Sequence, residues 1–463
     1  MNAPPVFAAD HFHRGTRLLQ EGKAAEAEQA FRQALALDPD LPEAHVNLGW
    51  LMEARQRLQE AETHYRRALE LDPLRPQTRL NLGTLLLGRK QLAEAELHFR
   101  YAAALDPRSP APLANLAVAL SHMGREDEAE RCYRAVLEKE PGDRRTQFNL
   151  AYLLLRQGRY EEGWARLEVR DANARFARTF SFPRWRGDAL DGRSLLIAYE
   201  AGYGDMIQFC RYASLLKQRG AGRIGLVCHP PLKRLFARLR DVDEVFDFGV
   251  SLPVAGWDCW TLPLSLPFLC RTRLDTIPAD IPYLSAEPEQ TARWARRLGP
   301  GDDALRIGLA WRGDPQHPND ADRSLPSLAT LAPLAELPGT RFFSLQKGHA
   351  ERLASAPERP FAIENLAPHI DDFADTAAAL AHLDLVITVD TSLAHLAGAM
   401  GKPCWVMLPH HMTDCRWLAQ RDDTPWYPQG MRLFRQKIAG DWRAPVAEMR
   451  EALRAFEAAR HVR

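Results

Sequence analysis

PEAHVNLGWLMEARQRLQEAETHYRRALELDPLR, residues 42–75, runs without a gap into PQTRLNLGTLLLGRKQLAEAELHFRYAAALDPRS, residues 76–109. Both carry an Asn-Leu-Gly triplet, an Ala with an aromatic residue four positions on, and a closing Asp-Pro. The same marks extend outward in both directions. Proline recurs at Pro39, Pro73, Pro107 and Pro141, and alanine at Ala27, Ala61, Ala95 and Ala129. The ring recurs as Phe31, Tyr65, Phe99 and Tyr133, and Asn-Leu begins at Asn47, Asn81, Asn115 and Asn149. Gly49, Gly83, Ala117 and Ala151 follow that pair, so a small residue always stands there.

Each mark has a physical reading. The small residue lets a second helix approach closely, and Ala-x-x-x-aromatic puts a small and a large group on one helical face. Proline removes a backbone donor and ends the second helix. Each unit is therefore an αα-hairpin with an apolar face it cannot bury alone, so the units stack as a solenoid. In length and marker positions the region resembles the tetratricopeptide repeat. Repeats are expected at 8–41, 42–75, 76–109 and 110–143, with a degenerate fifth from 144 and the array covering 8–170. That fifth unit keeps Asn149 and Gly158 but has Gly163 and Leu167 at the Ala and ring positions, and no closing proline.

One asparagine per repeat forms a row along the groove. Asn47, Asn81, Asn115 and Asn149 each offer donor and acceptor, so the row can grip an extended peptide backbone whatever its side chains. The row resembles the asparagine ladder of O-GlcNAc transferases. Bonding between neighbouring repeats explains the same residues equally well, and both readings stand here.

Composition limits the rest. At 463 residues the chain exceeds one core. Lys+Arg and Asp+Glu balance at 60 each, so no global field draws nucleic acid. Seven dispersed cysteines without a C-x-x-C pair read as reduced core thiols, not as disulfides or a zinc site. The start, MNAPPVFAADHFHRG, has no signal-peptide pattern, and no apolar run reaches membrane-spanning length, so a cytoplasmic location is expected.

Beyond 170 the helical period stops. Residues 171–192 read as an Arg- and aromatic-rich linker. Runs rich in β-branched and aromatic residues then alternate with helical stretches: 195–199, 224–228, 245–248, 307–311, 342–345, 385–389, 404–408 and 431–434. That alternation predicts an α/β domain with parallel sheets in two lobes, at 193–290 and 300–463, separated near LGPGDDA. A closing amphipathic helix over 445–460 is expected to pack back across the lobes.

Four constellations could carry chemistry. In Glu200-Ala-Gly-Tyr-Gly-Asp-Met-Ile-Gln208, Gly202 and Gly204 allow a tight turn. Asp205 there is either a helix cap or a general base facing an acceptor hydroxyl. Val389-Asp390-Thr391-Ser392-Leu393-Ala394-His395 offers free N–H groups at a helix start, which favours a diphosphate. Arg312 and Arg323 lie in or beside a polar loop after a strand, suited to clamping phosphate. Lys347, in Ser344-Leu-Gln-Lys-Gly348, is a further phosphate contact. The acidic segment Asp371–Thr376 before another strand could seat a nucleoside, and Asp375-Thr376 reads equally well as a simple N-cap. Asp241-Val-Asp243 matches D-x-D but precedes a strand and reads as a decoy.

DLVITVDTSLAHLAGAMGKPCWVMLP, 384–409, resembles the donor-site signature of family 9, heptosyltransferase-like glycosyltransferases, and GYGDMIQFCRYASLL resembles their N-terminal Gly-Asp motif. Bacterial proteins that fuse tetratricopeptide repeats to such a domain are more similar still. The resemblance implies a GT-B fold whose N-terminal lobe, here shortened, faces the acceptor and whose C-terminal lobe binds the donor. It implies Asp205 as catalytic base of an inverting transfer from a nucleotide-diphosphate sugar. It also implies Asp390, Thr391, Ser392, Leu393 and His395 as donor contacts with Arg323, Arg312 and Lys347 as cations, and Gly204 and Gln208 on the acceptor side. The fold implies no metal and no cofactor beyond the sugar nucleotide. One departure stands out: Asp414-Cys415-Arg416-Trp417 replaces the Asp-Trp-Arg-Trp of many relatives. The rival expectation is a non-catalytic interaction protein whose α/β part is a degenerate nucleotide-binding module. A third is a lipopolysaccharide heptosyltransferase proper, with a saccharide acceptor and no need of the repeats.

Overall fold

The computed structural model describes residues 7–250, 252–300 and 303–460. Gly301 and Asp302 of the LGPGDDA stretch expected between the lobes, the last three residues of the 300–463 lobe and the whole MNAPPV start lie outside that set. The chain divides into two compact units, Met1–Leu150 and Ala151–Arg463.

The first unit is all helical. Helices Ala8–Gln20 and Ala24–Leu37, Pro42–Ala54 and Leu58–Leu71, Pro76–Gly88 and Leu92–Leu105, and Ala111–His122 and Glu126–Lys139 form four hairpins. The repeat marks are its core: Ala27, Ala61, Ala95 and Ala129 and the rings at 31, 65, 99 and 133 are all buried. A Cβ on Gly15, Gly49 or Gly83 would stand 2.7, 2.6 or 2.7 Å from the ring of Phe31, Tyr65 or Phe99. The ring thus rests on bare backbone of the first helix, which is why the residue after Asn-Leu is small. Each hairpin closes with a Schellman turn. In the second, Arg57 N–H donates to Met52 C=O (2.8 Å) and Gln56 N–H to Glu53 C=O (2.9 Å). The left-handed residue of these turns is Gly22, Gln56, Lys90 and Gly124.

A second period joins repeats. Glu28, Glu62 and Glu96 each accept from the Arg four residues on, Arg32, Arg66 and Arg100. Each also accepts from an arginine at the next hairpin's turn: Arg57 at 3.2 Å for Glu28, Arg89 for Glu62, and Arg125 at 2.7 Å for Glu96. The 34-residue recurrence of Glu and Arg was visible in the sequence beside the apolar marks.

In the second unit, β1 (Ser194–Ile197), β2 (Arg223–Cys228), β3 (Glu244–Asp247) and β4 (Cys259–Thr261) form a parallel sheet in the order β3-β2-β1-β4. A six-stranded parallel sheet, β10-β9-β8-β5-β6-β7, is built from β5 (Leu305–Ala310), β6 (Thr340–Ser344), β7 (Glu364–Asn365), β8 (Leu385–Val389), β9 (Cys404–Leu408) and β10 (Met431–Arg435). Strands β5, β8 and β9 are buried throughout, as parallel strands covered on both faces must be. The architecture is that of a GT-B-like α/β domain.

Three segments depart from expectation. Residues 171–192 are not a free linker: helix Asp171–Thr179 and the following chain bury Phe176, Phe180 and Phe182 with Trp257 and Trp260 against the first sheet. Trp185 N–H donates to Trp260 C=O at 2.8 Å, extending the β4 edge. The fifth-repeat helix Tyr160–Leu167 belongs to the second unit. Tyr160 and Trp164 pack on Trp426, and Tyr160 Oη accepts the Trp426 indole N–H at 2.8 Å. The closing helix Arg443–Arg460 buries Val446, Met449 and Leu453 in the six-stranded lobe alone, beside Trp405 and Phe434.

Candidate active site

Open parallel sheets present ligand crevices outside the carboxyl ends of their strands, where strand order reverses. In the first sheet the reversal lies between β1 and β4, and in the second between β5 and β8. The Glu200–Gln208 turn leaves β1, and the Asp390–His395 turn leaves β8. Both motifs therefore occupy switch points.

The two turns touch. A Cβ on Gly204 would lie 2.8 Å from His395 Cδ2 and 3.5 Å from Ser392 Cα. Only glycine lets the first turn rest on the start of helix Ser392–Ala399. The turn is fixed from behind by Glu200, whose buried carboxylate pairs with Arg170 at 2.7 and 3.2 Å; Arg170 also donates to Ser265 Oγ at 2.9 Å. Ala201 adopts φ +59°, a left-handed geometry that a non-glycine residue keeps only when its surroundings enforce it.

Asp205 holds two partners. Its Oδ2 accepts from Gly202 N–H at 2.8 Å, capping helix Tyr203–Phe209, and its Oδ1 accepts from Arg416. The cap reading is thus present in the fold, beside a carboxylate that sits at the seam of the lobes. Gln208, three residues on, is fully buried with both amide atoms unpaired, so its side chain lies in the core and not on a solvent-facing acceptor surface.

On the other side of the seam, Thr391 caps helix Ser392–Ala399: its Oγ1 accepts the Leu393 N–H at 3.3 Å. The Leu393 side chain is buried. Burial pushes the half-buried Asp390 carboxyl up to about 6, aided by the like charge of Asp414 and opposed by Arg323 and Arg416. His395 is buried, stacks on Trp417 with centroids 5.1 Å apart, and shares a 3.0 Å hydrogen bond between Nδ1 and Tyr427 Oη. Burial holds its pKa well below the usual value, with the cations Arg416 and Arg211 adding to the effect, so the ring is neutral.

The other cations separate into two groups. Arg323 lies against Gly313, its buried Nε unpaired and 3.6 Å from Asp320 Oδ1, and its charge acts on Asp390. Arg312 instead straps its own loop, donating to Leu325 C=O at 3.2 Å and Pro326 C=O at 2.6 Å. Lys347 donates to Ala367 C=O at 2.8 Å. Among the described residues no contact ties Arg312 or Lys347 to the Asp390 turn. Asp243 of the D-x-D match is engaged by Lys217 at 2.7 Å and Ile224 N–H at 2.6 Å.

Sequence reasoning did not assign roles to Arg416, which bonds Asp205, or to Trp417 and Tyr427, which hold His395. The unusual Asp414–Trp417 stretch was the signal available for the first two. In the first unit, Asn47, Asn115 and Asn149 are half-buried and make no side-chain hydrogen bond among the described residues, while Asn81 accepts from Gln77 at 2.8 Å and also bonds Tyr65 of the preceding repeat. Bonding between repeats does not occupy those three.

Residues 12–76, 56–110, 86–145 and 144–168 match tetratricopeptide repeat models, and 339–407 match glycosyltransferase family 9 (heptosyltransferase). Protein FlbA of Caulobacter vibrioides is 28% identical over 324 residues, which is 64% of this chain and 53% of that protein. The chain thus spans about half the length of this curated relative. Among solved structures, YrrB, described as a TPR protein with an unusual peptide-binding site, matches with 21% identity and a TM-score of 0.33, over 35% of this chain and 84% of that one. MamA from Desulfovibrio magneticus matches with 17% identity and a TM-score of 0.33, over 39% of this chain and 99% of that one. The chain carries tetratricopeptide repeats in its N-terminal region and a glycosyltransferase family 9 domain near its C-terminus.

Proposed function

We propose that the protein is an inverting glycosyltransferase that moves a sugar from a nucleotide-diphosphate sugar to a hydroxyl of a protein acceptor. The observation that carries this reading is the direct apposition of the two switch-point turns, Gly204 against His395 and Ser392. Asp205 takes the acceptor proton as the hydroxyl oxygen attacks the anomeric carbon, and the diphosphate leaves toward the opposite lobe. There the N-terminus of helix Ser392–Ala399 and Arg323 take up the developing charge. Asp390, titrating near 6, donates a hydrogen bond to a phosphate oxygen when protonated and repels it when ionised. Neutral His395, locked by Trp417 and Tyr427, shapes the wall on which Gly204 rests. This puts the acceptor lobe at 193–290 and the donor lobe from 300 onward. The reduced thiols fit a cytoplasmic location, and the half-buried asparagines without partners suit a groove that holds an extended polypeptide.

Thermal melts of the full chain with nucleoside diphosphates and their sugars test the donor half. One nucleotide class is expected to raise the melting temperature, and no stabilisation by any of them would favour the scaffold reading. Asn47→Ala, Asn81→Ala, Asn115→Ala and Asn149→Ala together should keep that nucleotide response and lose the acceptor protein.

A further inference from the structure

Both oxygens of Asp205 are engaged: Oδ2 by the Gly202 N–H and Oδ1 by the Arg416 guanidinium. Held in this way, Oδ1 faces the guanidinium instead of an acceptor hydroxyl. Oδ2 belongs to the helix cap, so only the Arg416 contact can be given up without unravelling the turn.

The Arg416 main chain is in no position to move away. Its carbonyl accepts from Thr424 Oγ1 at 3.2 Å, its N–H donates to Asp414 Oδ1 at 2.9 Å, and Trp417 is stacked on His395. Arg435 ties down the next two carbonyls, those of Trp417 and Leu418, at 2.7 Å each. What can swing is the guanidinium. It is nine-tenths buried, bonded to Asp414 Oδ2 at 2.7 Å, and its Nε has no partner. A buried guanidinium short of an acceptor, next to a helix start suited to phosphate, is matched by the paired oxygens of a diphosphate, which a guanidinium binds as a fork.

We propose that Arg416 is a donor-operated latch: it holds Asp205 in the free protein and turns to the diphosphate of the bound donor, releasing Asp205 Oδ1 for the acceptor hydroxyl. The base is then exposed only once the donor is seated. The inference rests on the reading of Asp205 and Asp390 as the two sides of one transferase site.

Calorimetric titration of the full chain with ADP, UDP, GDP and CDP tests it. In Asp205→Asn the guanidinium loses its carboxylate competitor, so the preferred nucleoside diphosphate should bind about tenfold tighter than to wild type. Arg416→Gln should bind it about tenfold more weakly. Adding Asp205→Asn to Arg416→Gln should then change nothing. A merely structural Asp205 predicts weaker or equal binding in its Asn variant, and that result overturns the latch while leaving nucleotide binding intact. Should Arg416→Gln not fold, Asp205→Asn decides alone. Binding of none of the four nucleotides to wild type or Asp205→Asn overturns the latch and the transferase reading together.

Discussion

Asp390 shows how a single position can couple the site to pH. Its carboxyl is pushed up to about 6 by burial and by Asp414, so the folded chain prefers it protonated. For a carboxyl whose folded value exceeds the unfolded one, the associated stability is present below the unfolded pKa, near 3.8, and is lost as pH rises through about 6. Asp390→Asn removes that dependence. Urea melts at pH 4 and pH 7.5 should show the variant gaining on wild type by about 1–3 kcal/mol as pH rises, and a constant difference would place the shift elsewhere. Residues with this kind of role are hard to read from sequence. Asp390 was recognisable because it ends a strand and opens a helix. Arg416 was recognisable only as the arginine shared with the Asp-Trp-Arg-Trp of relatives, since its partner Asp205 lies far away along the chain. Arg312 was read as a phosphate ligand from its polar loop after a strand and Lys347 from its charge, and in the fold both donate to backbone carbonyls.

At the scale of elements, the repeats were legible because each mark answers one packing need. The glycine or alanine after Asn-Leu is small because a ring presses on it, and the ring recurs because each hairpin presents the same face. The hairpin turns carry an internal control. Gly22 and Gly124 fill the left-handed turn position that Gln56 fills in the second repeat, at φ +62°. A side chain there costs about 1–2 kcal/mol of backbone strain, partly offset by glycine's greater freedom when unfolded. Gln56→Gly should therefore raise the melting temperature of the full chain, with about 0.5–1 kcal/mol gained; a fall would mean that the Gln56 side chain contributes more than its backbone strain costs. Two strands escaped the sequence reading. Strand β4 has three residues and β7 two, too few to show a period. The stretch 171–192 was misread because arginines between its aromatics mask a buried face made of Phe176, Phe180, Phe182 and Trp185.

For the whole molecule, the division at Leu150/Ala151 puts the last repeat helix with the two-lobed α/β unit and not with the solenoid. Tyr160 and Trp164 are core residues of that unit, packed on Trp426, and Arg170 just beyond them anchors Glu200 at the base of the Asp205 turn. This accounts for the degenerate fifth repeat, whose Gly163 lies against Leu155: a Cβ there would stand 2.7 Å from Leu155 Cγ. Its positions answer to a different neighbour from those of the other four, so the closing proline and the ring are absent. In the proposed function the repeats hold the acceptor and the two-lobed unit performs the transfer, with Asp205 as the only base. The most direct measurement is nucleoside diphosphate released from the preferred sugar nucleotide, in the presence of acceptor, by wild type and by Asp205→Asn. Loss of a general base typically costs about 10²–10⁴ in turnover, and release should fall by that factor in a variant that still binds the nucleotide. Release at the wild-type rate by Asp205→Asn would contradict the account.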